Sequence, residues 1–147
     1  MLFQQLNRTD AEKVFIIARN TSGGTLAANL PVYFETDAQS DGLAVSQMAP
    51  GGALLFAGIN DASVVDDGYG LVQVYGKRTS AVVSAVASVA SLFPGSRLVS
   101  VAGAAYLGYG SSISTVDQDT FVYSMETKAS ADDKSATSNC IVFIRAL

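Results

Sequence analysis

Apolar residues along this chain fall in short runs rich in Val, Ile, Phe and Tyr, each closed within a few positions by glycine, proline, asparagine or aspartate. Val14-Phe15-Ile16-Ile17-Ala18-Arg19 is the first; its β-branched and aromatic content predicts a strand. Asn20 to Gly24 ends it with residues that tolerate left-handed backbone. Leu30 to Glu35 predicts a second strand, with Pro31 held to its start or to a sheet edge because proline brings no N–H to a ladder. Leu43 to Met48 is a short and irregular candidate, and Pro50-Gly51-Gly52 breaks the chain before Leu54 to Ile59.

The second half repeats this rhythm. Asp66-Asp67-Gly68-Tyr69-Gly70 is a turn, and Leu71 to Gly76 after it alternates, with Leu71, Gln73 and Tyr75 on one side and Val72 and Val74 on the other. Lys77 to Val86 continues extended or begins a new strand. Pro94-Gly95 turns into Arg97 to Val101. Ala102 to Ser112 reads as loop or weak strand, Thr120 to Met125 as strand, and Ala129 to Ser138 as polar loop. Cys140 to Leu147 is an apolar strand that needs a paired, buried place, since an open apolar edge invites association. Some seven to ten short strands without a convincing helix predict an all-β sandwich or barrel. Ser80 to Phe93 fits helical spacing as well, but its Val and Ser content favours strand or coil. Gly24 to Val32 faintly echoes Pro94 to Val99, a break leading into an apolar strand; one match of this kind does not establish a repeat.

The N-terminus differs. Leu2, Phe3, Gln4, Gln5 and Leu6 precede a polar run from Asn7 to Lys13, and Thr9 with Glu12 fits a capping box although no amphipathic helix follows. Residues 1–12 are read as an extended arm whose apolar tip is a first strand or a contact with a neighbour. Residues 13–147 are read as a single β domain. Met1 to Asp10 lacks the basic start and apolar core of a secretory leader. The weakly polar stretch from Ala81 to Phe93 is shorter than the roughly 20 residues a spanning helix needs.

Composition sharpens the picture. Only 15% of the 147 residues are charged, against about 25% in ordinary soluble domains. With 49% hydrophobic residues, part of the outside is expected to be covered by copies of the chain or by a partner; a monomer solubilised by Ser and Thr is the plainer alternative. A net charge of −4 and scattered basic residues argue against nucleic acid. Absence of histidine excludes Ser-His-Asp and Cys-His sites within the chain and removes the commonest metal ligand. The one cysteine, Cys140, sits among Ile141, Val142 and Phe143, where a buried inert thiol is expected. Asp61, Asp66 and Asp67, then Asp117 with Asp119, then Asp132-Asp133, suggest Ca²⁺ or glycosidase carboxylates on paper. They also fall where turns are expected, and no calcium-loop spacing is present. No metal or cofactor is therefore expected.

The order of segments Glu12 to Gly23, Leu30-Pro31-Val32, Leu55 to Ile59, Asp67 to Gly76, Phe93 to Leu98 and Val142 to Leu147 resembles small capsid cement (decoration) proteins of tailed phages, over about residues 12–147. The resemblance implies a compact β-barrel or β-tulip-like domain and a homotrimer on the outer surface of the virion capsid. It further implies contact with the major capsid protein, a stabilising rather than catalytic role, and no part for nucleic acid or membrane. Leu2, Phe3, Gln4, Gln5 and Leu6 are the candidate capsid or subunit contacts. Besides a different virion structural part, such as a head–tail or tail-tube subunit, two other readings stay open. One is a receptor- or sugar-binding fibre or tail module using Tyr106 and Tyr109. The other is a dUTPase-like trimeric β enzyme, for which the Arg- and Gly-rich phosphate motifs are missing.

Overall fold

The computed structural model describes residues 12–35, 42–47, 55–85, 91–101, 104–109, 122–128 and 137–146. Among them are nine strands and no helix: β1 (Lys13–Asn20), β2 (Pro31–Phe34), β3 (Ala44–Ser46), β4 (Leu55–Asn60), β5 (Tyr69–Ala85), β6 (Arg97–Ser100), β7 (Leu107–Tyr109), β8 (Val122–Ser124) and β9 (Ser138–Arg145). The expected all-β class holds. The stretch from Lys77 onward does not begin a new strand but continues β5 to Ala85, and the Ala102 to Ser112 segment contributes β7.

Hydrogen bonding joins the strands in the order β1-β3-β2-β4-β5-β7-β6-β8-β9, and β5 also pairs with both β1 and β9. Those two extra pairings close the sheet into two rings of five. In the first, β1 runs parallel to β3, and the antiparallel pairs β3–β2, β2–β4, β4–β5 and β5–β1 complete the circuit. The second repeats the scheme from β5: parallel to β7, then antiparallel β7–β6, β6–β8, β8–β9 and β9–β5. Strand β5 belongs to both. It ends the first ring and begins the second.

The correspondence extends to register. Pro31 faces Ile59 and Val32 faces Gly58 in the first ring; Arg97 faces Tyr123 and Leu98 faces Val122 in the second. Ile59 and Asn60 meet Gln73 and Val72, as Tyr123 and Ser124 meet Phe143 and Val142. An isolated bridge from Leu26 to Val64 has its counterpart from Leu92 to Lys128. Even the turn geometry recurs. Asn29 and Gly95 both adopt positive φ, at 67° and 86°, a conformation that asparagine and glycine tolerate best. They donate their N–H to the carbonyls of Asn60 and Ser124 respectively. The echo between Gly24–Val32 and Pro94–Val99 thus marks equivalent strands of a duplicated unit, where the sequence alone showed one match.

Each ring encloses its own core. Ala18, Leu26, Val32, Val45, Ala57, Val72 and Val74 fill the first. Ala81, Val83, Leu92, Leu98, Leu107, Val122, Cys140, Val142 and Ile144 fill the second, where Ile59 and Phe56 reach across from β4. Ala146 packs against both. The inward side of β5 therefore changes along its length. Val72 and Val74 are buried, then Ala81 and Val83, and the parity switches where the register against β9 shifts between Arg78 and Ala81.

A polar knot sits at the junction. Arg78 is buried, and its Nε donates to the Ser80 carbonyl at 2.8 Å. Its Nη1 donates to Asp61 Oδ1 at 2.9 Å and to Gln73 Oε1 at 3.2 Å. Its Nη2 donates to Asn29 Oδ1 at 2.7 Å and to the Asn60 and Asp61 carbonyls at 3.0 and 3.3 Å. A guanidinium has five N–H donors in a fixed fork, and here that fork ties the turn before β2, the end of β4 and both stretches of β5 into one unit.

Candidate interaction surface

Strand β1 is Lys-Val-Phe-Ile-Ile-Ala-Arg-Asn, apolar at four consecutive positions from Val14 to Ile17. Alternation sends Ile16 and Ala18 toward the first core, so Phe15, Ile17 and Arg19 lie on the outer face. Across the antiparallel ladder Ile17 faces Leu71 and Arg19 faces Tyr69. The result is a contiguous outer patch in which Phe15 is 37% exposed, Leu71 45%, Ile17 61% and Tyr69 66%. Val65, in the turn before β5, is also exposed. Single exposed apolar side chains need no explanation, whereas adjacent ones on a ladder make this the candidate interaction surface.

The rim carries both charge signs. Arg19 Nη2 donates to Asp67 Oδ1 at 2.7 Å, Asp66 Oδ1 accepts the Gly23 N–H at 3.0 Å, and Glu12 and Lys13 are exposed at the start of β1. The carboxylates that the sequence offered as chemistry are thus engaged structurally. Asp61 belongs to the Arg78 knot, and Asp66 and Asp67 hold the turn against β1. Asp117, Asp119, Asp132 and Asp133 lie outside the described residues, as do Leu2, Phe3, Gln4, Gln5 and Leu6. Among the described residues no three His, Cys, Asp or Glu side chains converge to hold a metal ion.

Two further features bear on chemistry. Cys140 is buried in the second core with its thiol 3.4 Å from Ser124 Oγ; burial pushes its pKa up, only partly offset by that contact, so the reactive thiolate is disfavoured. Glu126 accepts the Ile141 N–H at 3.0 Å and pairs with Lys128 at 3.1 Å. The backbone bond, more than the lysine, holds its carboxyl below the usual range. Of the two tyrosines available for sugar stacking, Tyr109 is buried and Tyr106 half-buried.

An open polar cleft of about 420 Å³ lies at one end of the first ring, lined by the Thr21–Thr25 loop, Glu35, Ser46 and Gln47. Strand β3 ends there in Ser46, whereas β7 ends in Tyr109, whose ring fills the second core. No family model matches the chain, and no curated protein matches it either.

Proposed function

We propose that this chain is a structural virion protein without catalytic activity, which associates with copies of itself, as a trimer, on the outer surface of a phage capsid and stabilises the shell. The observation that carries the reading is the apolar outer patch of Phe15, Ile17, Tyr69 and Leu71 on a chain with 15% charged residues. A surface so poor in charge and so rich in adjacent apolar side chains suits a molecule that spends its working life covered. The major capsid protein is the partner on the other side, and many identical modest contacts over a lattice add up through effective concentration. The resemblance of the segment order to capsid cement proteins points the same way.

The test is co-sedimentation of purified protein with phage capsids stripped of it. Saturable binding at a fixed ratio to the major capsid protein, with a raised capsid melting temperature, supports the reading. Absence of binding sinks it, and the protein would then be sought in tail fractions and screened against glycans.

A further inference from the structure

The two rings differ at one end. Tyr33 faces Ser46 and Phe34 faces Val45 in the first, as Val99 faces Gly108 and Ser100 faces Leu107 in the second. Asn20 and Val83 are equivalent in turn, since they meet Val45 and Leu107 across the parallel pairs. Followed onward, these strands set Ser22, Glu35 and Gln47 where the second ring has Ala85, Val101 and Tyr109. There β5 keeps its pairing with β7 as far as Ala85 and Tyr109, and the Tyr109 ring is buried in the core. In the first ring β1 stops at Asn20. The buried Asn20 amide donates to the Gly24 and Val64 carbonyls at 2.7 and 3.0 Å and accepts the Ser22 N–H at 2.9 Å. It thereby turns the chain at Ser22 instead of extending β1 along β3. Gly23, at φ of 74°, is held in addition by Asp66. Between this loop and the ends of β2 and β3 lies the cleft of about 420 Å³.

The lining restricts what can enter. Thr21, Ser22, Thr25 and Ser46 bring hydroxyls, Gln47 an amide and Glu35 a carboxylate. Glu35 is half-buried, and among the described residues no donor bonds its carboxylate. The lining residues include no cation, so an anion would meet that carboxylate uncompensated. They include no large apolar side chain either, so an apolar ligand would gain little. A single water occupies ~30 Å³, so a metal ion or an ammonium group would leave most of the space unfilled. Hydroxyls and an amide that both give and accept, beside a carboxylate that only accepts, match a compact neutral molecule bearing many hydroxyls.

We propose that this cleft binds a neutral sugar of about one or two rings. Glu35 accepts hydrogen bonds from its neighbouring hydroxyls, and Gln47 and the Thr21–Thr25 loop complete the set. The proposal goes beyond the structural role above and does not rest on it. Asn20 and Asp66 hold the loop in place beforehand, so binding has little to order. No aromatic ring lines the cleft to stack on a sugar face, so a single site is weak, in the millimolar range. Several copies side by side would add up through effective concentration.

The test is a titration of the isotope-labelled full chain, followed by amide chemical shifts, with glucose, galactose, mannose and N-acetylglucosamine each raised through the millimolar range. Expected with at least one of them are saturable shifts confined to Ser22–Thr25, Glu35 and Gln47. They should be lost in Glu35→Ala and in Gln47→Tyr, which copies the plug of the second ring. Gln47 is exposed and Glu35 half-buried, so both variants are compatible with folding, and unchanged amide shifts in the second core confirm it. Lysine is titrated in parallel. Absence of saturable shifts with all four sugars overturns the proposal, as do shifts scattered over other surfaces or binding that survives both variants. Shifts of these amides with lysine alone overturn it too, and assign the cleft to an ammonium group. Sugar binding by a chain that never binds capsids upholds the cleft and removes the capsid reading instead.

Discussion

Replacing Arg78 by methionine keeps the length and apolar stem of the side chain while deleting every donor in the knot at the ring junction. Three side-chain acceptors lose their cation: Asn29 Oδ1, Gln73 Oε1 and Asp61 Oδ1. The carbonyls of Asn60, Asp61 and Ser80 lose a donor as well. Asp61 is 43% exposed at its side chain, so water rescues it, and its pairing with Arg78 is worth at most about 1 kcal/mol. Gln73 Oε1 has no such access, and a buried acceptor left without a donor costs about 1–3 kcal/mol; the Asn60 carbonyl keeps the Asn29 N–H. Together the loss should reach about 2–4 kcal/mol, the sum of the unpaired Gln73 acceptor and the lost Asp61 pairing. Against a total stability of about 5–15 kcal/mol, Arg78→Met should lower the urea midpoint severely, whereas Asp61→Asn should cost less than about 1 kcal/mol. Urea unfolding followed by tyrosine fluorescence and circular dichroism at fixed protein concentration measures both. A loss below about 1 kcal/mol for Arg78→Met, or an equal loss for both variants, would refute the argument.

Other expectations follow from single positions. Gly76 has φ of 101°, and a Cβ there would overlap the Glu12 carbonyl oxygen of β1's lead-in; Gly76→Ala should destabilise by about 1–3 kcal/mol, read from the same urea transition. The Cys140 thiol should resist a disulfide reagent in native buffer and react at once in urea, and prompt native labelling would show that its burial is transient. Glu126 has a lowered folded pKa, so its contribution is present above the unfolded value and is lost as pH falls through the acid range toward the folded one. A melting-temperature profile should therefore drop less steeply below the ordinary carboxylate range in Glu126→Gln than in the wild type, and superimposable profiles would count against it.

Much of the all-β architecture was legible because β-branched and aromatic runs between turn residues leave little else to form. The terminal strand was expected to be paired, and β9 lies between β5 and β8. The unity of β5 was not legible. Its buried positions change parity at the bulge after Arg78, so a strand serving two cores on opposite sides reads as two unrelated pieces. Ring closure escaped too, since it depends on which distant strand each edge selects. The candidate surface was half visible. Four apolar residues in a row at Val14 to Ile17 say that both faces of the strand want cover, but they also look like a fully buried strand. The sequence points instead to Leu2, Phe3 and Leu6, where apolar residues stand among polar ones.

Sharing β5 has a consequence for any attempt to divide the molecule. A fragment ending after Ala85 would keep all five strands of the first ring, and one beginning before Tyr69 would keep all five of the second. No single break in the chain yields both, because whichever piece keeps β5 leaves the other one stave short. Two overlapping fragments could each close, whereas two complementary ones must dispute the same strand. The joint between the rings is thus less an interface than a length of common timber, braced by Ile59, Phe56 and Ala146, and what loosens one barrel is transmitted to the other along that covalent stave.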